Sequence, residues 1–131
     1  MNAAGCIIIY NRLVLLARRI EAKGVAYPGY WSIFAGSREP PSEPPMICAI
    51  RELHEETGIS LKTNQIKFAR TLHTQSGNLL DLYYHVCESM PSVDLNFEHT
   101  EYGWFDISKL KSFPYTIDSK IVNTIQSIDI D

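Results

Sequence analysis

The chain has 131 residues, 45% hydrophobic and 21% charged, the proportions of an ordinary globular protein, so residues 1–131 are expected to form one domain around one core. Its net charge of -3 excludes a general electrostatic attraction to nucleic-acid polymers or anionic membranes, and an anionic ligand would need local Arg, Lys or bound cations. The opening MNAAGCIIIYNR has no basic segment before its apolar run, which is far shorter than the roughly 18 residues that cross a bilayer, so the expectation is a cytoplasmic protein without a membrane partner.

Residues 5–10 and 13–18 are β-branched or aliphatic runs separated by Asn11-Arg12, which reads as a hairpin whose Asn accepts positive φ. The pattern lapses over residues 20–28, and Tyr30-Trp31-Ser32-Ile33-Phe34 resumes as one short strand ending at Ala35-Gly36. A loop with prolines at 40, 41, 44 and 45 follows. Proline costs little in the first turn of a helix, so Ser42 reads as an N-cap for a helix running to Thr57 and stopped by Gly58. Its apolar residues Met46, Ile47, Ile50 and Leu53 define the expected core-facing stripe.

Residues 66–74 and 81–87, joined across Gln75-Ser76-Gly77-Asn78, form a second hairpin, and residues 102–106 a further strand. Ile117, Ile121, Val122, Ile125 and Ile128 recur at helical spacing after Pro114 and predict a closing helix. Strands with interspersed helices but no regular βαβ alternation place the fold in the α/β or α+β classes. Cys6, Cys48 and Cys87 show no zinc-ligand spacing and read as reduced thiols.

The chemistry concentrates on one helix. Glu52, Glu55 and Glu56 fall on one arc of roughly 100°, expected to face away from the core, and as like charges at i+3 and i+4 they repel by a few tenths of a kcal/mol per pair. Such a face is either solvated or holds hard cations, because magnesium prefers oxygen ligands shared with substrate phosphates.

The wider phrase decides between these. Arg51-Glu52-Leu53-His54-Glu55-Glu56-Thr57-Gly58-Ile59, with Glu43 and Gly36 upstream, resembles the Nudix box, G-x5-E-x7-R-E-U-x-E-E-x-G-U with U aliphatic. The match over residues 51–59 would arise by chance roughly once in ten million windows. The chain departs from the pattern in having six residues between Gly36 and Glu43 where the box has five, and in reading Phe34-Ala35-Gly36 where Pro-Gly-Gly is usual.

The resemblance covers most of the chain and implies an α/β/α sandwich around a mixed sheet. It also implies hydrolysis of a diphosphate linkage in a nucleotide-type substrate, a (d)NTP or a dinucleoside polyphosphate, with Mg2+ or alternatively Mn2+. Carried over by position, Glu52, Glu55 and Glu56 with the backbone at Gly36 are the metal ligands. Arg51 and Glu43 orient those glutamates. Glu98 and Glu101, in Glu98-His99-Thr100-Glu101-Tyr102-Gly103-Trp104, are candidate general bases, with Glu98 preferred. Arg18, Arg19, Tyr30 and Trp31 are candidate substrate contacts, and Trp104 is a further aromatic able to stack a base. His54, His73, His85 and His99 show no ligand spacing and default to surface or core roles. The expected partner is a small nucleotide diphosphate, and homodimerisation is compatible with the sequence. Open alternatives are a non-catalytic nucleotide-sensing module of the same fold, an ADP-ribose or nucleotide-sugar hydrolase, and a plain interaction domain.

Overall fold

The computed structural model describes residues 2–74 and 76–130. β1 (Ala3–Tyr10) and β2 (Leu13–Arg19) pair antiparallel at Ile9 with Val14 and Tyr10 with Leu13. Asn11 and Arg12 both adopt positive φ, 49° and 65°, the mirror-image turn whose twist matches that of the strands it joins. β6 (Leu79–Cys87) runs parallel to β1 along its whole length, and β5 (Lys67–His73) pairs antiparallel with β6 as an edge. Gln75 of the turn expected between them lies outside the described residues.

The expected single strand at residues 30–34 is two strands. β3 (Trp31–Ser32) pairs with β2, whereas β4 (Phe34–Ser37) pairs with β1, so the chain changes partner at Ile33. This inserts a wedge between β1 and β2 and opens the sheet where the helix carrying the glutamates docks. β7 (His99–Asp106) pairs with the other side of β2 and begins earlier than Tyr102. Together these form one seven-stranded mixed sheet.

Alternation along the strands sends side chains to both faces, and both are covered. Cys6, Ile8, Leu15 and Ala17 pack with Cys48, Ala49 and Leu53 of α1 (Pro45–Thr57). Ile7, Ile9, Val14 and Leu16 pack with Ile121, Val122 and Ile125 of α2 (Ser119–Ser127). Each fully buried Ile or Leu contributes about 1.5–3 kcal/mol. The architecture is therefore an α/β/α sandwich around a mixed sheet.

Both helix starts differ from the sequence expectation. α1 begins at Pro45 with Pro44 at the N-cap and no side-chain cap, so Ser42 lies too early. The preset φ of proline favours the first turn without a capping side-chain oxygen to accept from its N–H groups. α2 begins at Ser119, where the Asp118 carboxylate accepts from Lys120 N at 2.8 Å. Ile117 instead bridges to Trp31.

Candidate functional site

α1 ends where Gly58 takes φ 78° and its N–H donates to His54 O, so the glutamates occupy its last two turns. Arg51 organises them. Its guanidinium donates from Nε and Nη2 to the two oxygens of Glu43, each at 2.9 Å, from Nη1 to Glu52 at 3.1 Å and Glu55 at 3.1 Å, and from Nη2 to Ser37 O at 3.0 Å. A bidentate pair with such geometry is strong. The Arg51 hydrogen bonds hold the Glu43 carboxyl at about 2, against an ordinary 4.5.

The orientation of the acidic face corrects the sequence reading. Glu52 and Glu56 are not turned to solvent: they are 7% and 0% exposed, and only Glu55 is open. Ile47, expected in the core stripe, is 44% exposed. The inward positions are Cys48, Ala49, Glu52, Leu53, Glu56 and Thr57. Gly36 makes this turn of the helix sterically feasible, because a Cβ there would overlap the Glu52 carboxylate. The Gly36 carbonyl accepts from the Cys48 thiol at 3.4 Å.

Burial raises Glu52 above its ordinary value and, with the adjacent Glu52 and Glu98 charges, pushes Glu56 far higher. The Glu52 and Glu56 carboxylates interact closely enough to share a proton, yet neither oxygen of Glu56 receives a hydrogen bond of good geometry from a described residue. A buried pair of this kind is held together by a shared proton or a cation. The nearest ion-pair contact of Glu56 is His99 Nε2 at 3.7 Å, from a fully buried imidazole that burial holds neutral, with its pKa down at about 4.

The two candidate bases separate. Glu98 is near enough to Glu56 for its charge to help raise that carboxyl. Glu101 faces Arg18 at 3.7 Å on the rim of a separate cleft of about 650 Å³. That cleft is lined by Arg18, Glu21, Tyr30, Trp31, Tyr115 and Thr116, among others. Arg18 and Arg19 diverge accordingly, since the charge of Arg19 is felt by Glu56 and His99. Trp31, only 5% exposed, is mainly core, wedged edge-on to Phe105 and Phe113 and stacked at 5.4 Å on Tyr115. Tyr115 is 56% exposed and presents the open aromatic face. Trp104 lies away from this cleft, packed on the α1-side core and edge-on to Tyr10.

A NUDIX domain model matches residues 1–124. The chain belongs to the Nudix family. It is 35% identical over 89 residues, 63% of its length, to protein 111R of Invertebrate iridescent virus 3, and spans 48% of that relative. Among solved structures, the MutT protein of Methanosarcina mazei Go1 superimposes with a TM-score of 0.77 at 21% identity, covering 96% of this chain and 90% of that one. The C. elegans Ap4A hydrolase, solved as a binary complex, gives 0.74 at 21% identity, covering 95% and 93%. At these identities the structures speak for the fold.

The inserted residue of this Nudix chain is absorbed locally. The loop folds back so that Glu39 N donates to Glu43 Oε1 at 2.8 Å and Arg38 Nε donates to Glu43 O, leaving the Glu43–Arg51 pair intact. Among the described residues no three His, Cys, Asp or Glu side chains already surround one point as a metal shell would. Arg51 Nη1 stands between Glu52 and Glu55 instead. The donor set near Gly36 and Glu56 is nevertheless carboxylate and carbonyl oxygen, the chemistry of hard divalent cations. Tyr115 went unread in the sequence, signalled only by an aromatic after Pro114, and His99, read there as a core or surface residue, is buried against Glu56.

Proposed function

We propose that this chain hydrolyses a diphosphate linkage in a small nucleotide-type substrate, a (d)NTP or a dinucleoside polyphosphate, with Mg2+ or Mn2+ as cofactor. The observation that carries the reading is the pair of buried carboxylates, Glu52 against the Gly36 backbone and Glu56 one turn on, with the oxygens of Glu56 unmatched by any donor among the described residues. Glu52, Glu55, Glu56 and the Gly36 carbonyl would hold the cation. Such an ion, when bound, neutralises diphosphate charge and acidifies a coordinated water.

The remaining roles belong to the chain. Arg51 and Glu43 lock the rotamers of Glu52 and Glu55, a preorganisation that costs nothing at the moment of reaction. Glu98, beside Glu56, is the base that takes a proton from water. The base of the nucleotide lies in the cleft against Tyr115, Tyr30 and the rim of Trp31, with Arg18 beside it; about 650 Å³ falls within the size range of nucleotide sites. Because Arg18 and Arg19 are consecutive at the end of β2, one strand end serves both the cleft and the carboxylates. The intact Arg51–Glu43 pair favours catalysis over a sensing module.

The test is a screen of nucleoside triphosphates, dinucleoside polyphosphates, ADP-ribose and nucleotide sugars with Mg2+, using Glu56→Gln and Glu55→Gln as controls. Turnover of at least one substrate and its loss in both variants, with unchanged circular dichroism, is expected. Wild-type-like phosphate or pyrophosphate release by either variant overturns the ion assignment.

A further inference from the structure

β7 contains an irregularity with a chemical consequence. In a regular strand His99 and Glu101, two residues apart, would project from the same face. Here Arg18 pairs with Glu101 but the next residue, Arg19, pairs with His99, so Thr100 is an extra residue in the ladder. A bulge of this kind re-aims one side chain relative to its neighbours. Glu101 stays with Arg18 at the cleft. His99 instead enters the α1 side, edge-on to Phe34 at 5.2 Å, with Nε2 3.7 Å from Glu56 Oε1.

The imidazole and the Glu56 carboxylate are both fully buried, and neither nitrogen nor oxygen is hydrogen-bonded to a described residue. Burying unpaired polar groups opposes folding, and an apolar ring against Phe34 would avoid that cost. The arrangement makes chemical sense if the two groups act together on something that binds. We propose that His99 is a positioning residue for Glu56: its ring N–H donates to one carboxylate oxygen while the other faces a divalent cation, fixing the plane of the carboxylate. This rests on the reading of Glu56 as an ion-holding residue. Ligating carboxylates are commonly oriented by such outer hydrogen bonds, and losing one weakens metal binding about 10–100-fold.

The experiment is calorimetric titration of the whole protein with Mn2+ alone, paired with thermal melting in chelator, for wild type, Glu56→Gln, His99→Phe, His99→Gln and His99→Asn. His99→Phe is expected to bind Mn2+ about 10–100-fold more weakly while its chelated form melts at or above the wild-type temperature, since an apolar ring suits the buried site. His99→Gln, whose Nε2 can stand where the histidine nitrogen does, recovers most of the affinity; His99→Asn, too short to reach, does not. A purely structural histidine would give the reverse, lower melting with unaltered Mn2+ affinity. Wild-type Mn2+ binding by His99→Phe, with binding abolished in Glu56→Gln, refutes the positioning role and leaves the ion site standing. Wild-type binding by Glu56→Gln removes the ion site and the positioning role together. Should His99→Phe fail to fold, equal Mn2+ affinities for the Gln and Asn variants overturn the proposal.

Discussion

Glu43→Gln removes one charge while nearly preserving shape. Glu43 is 8% exposed and receives two hydrogen bonds from Arg51, each of 2.9 Å. These hold the folded carboxyl at about 2 rather than 4.5, and at about 1.36 kcal/mol per pH unit the gap is worth roughly 3 kcal/mol. Arg51 is a quarter exposed and keeps Glu52 and Glu55 as partners, so screening and re-pairing reduce the expected loss to about 2 kcal/mol. For a chain of this size that corresponds to a melting temperature lower by roughly 6–10 °C.

Because the folded value is depressed, this stability is complete above pH 4.5 and is lost as pH falls toward about 2. Urea denaturation of both proteins in chelator, at pH 7 and pH 3, measures it. The wild-type advantage should be about 2 kcal/mol at pH 7 and less than about half of that at pH 3. A gap below about 0.5 kcal/mol at pH 7, within the range of an ordinary surface pair, or a gap equal at both pH values would refute the assignment of this energy to the Glu43–Arg51 pair.

Three further substitutions probe other parts of the structure. Gly36→Ala places a methyl group against the Glu52 carboxylate; it should cost about 1–3 kcal/mol by overpacking and abolish Mn2+ binding, as read by denaturation and calorimetry. Gly58→Ala forces a side chain into φ 78° and should destabilise by about 1 kcal/mol, with turnover at 25 °C unchanged. Tyr115→Ala removes the open aromatic face of the cleft; loss of a base stack worth about 1–3 kcal/mol should raise KM at least fivefold with little change in kcat, and an unaltered KM would place the base elsewhere.

Much of this molecule is local and therefore readable along the chain. The first hairpin, the end of α1 at Gly58 and the spacing of Glu52, Glu55 and Glu56 depend on neighbours within a few residues, and the Nudix phrase rests on that spacing. The side of α1 that turns inward is not local. Apolar periodicity assigns Met46, Ile47, Ile50 and Leu53 to the core; Leu53 is buried and Met46 and Ile50 pack at the core's margin, but Ile47 is exposed and Glu52 and Glu56 turn inward, because Gly36 leaves room for Glu52 and Arg51 pairs with Glu43, Glu52 and Glu55.

The partner change at Ile33, the extra residue Thr100 and the meeting of Trp31 with Tyr115 are likewise products of the sheet. A strand's register, and the face each of its residues shows, is set by the strands beside it, which no short window contains. The sequence by itself determined which carboxylates this protein carries and how they are spaced on a helix. Only the tertiary structure decided that Glu52 and Glu56 are buried, that His99 stands against Glu56, and that Glu98 and Glu101 serve different places, because burial and facing belong to packed pairs of elements and not to any one of them.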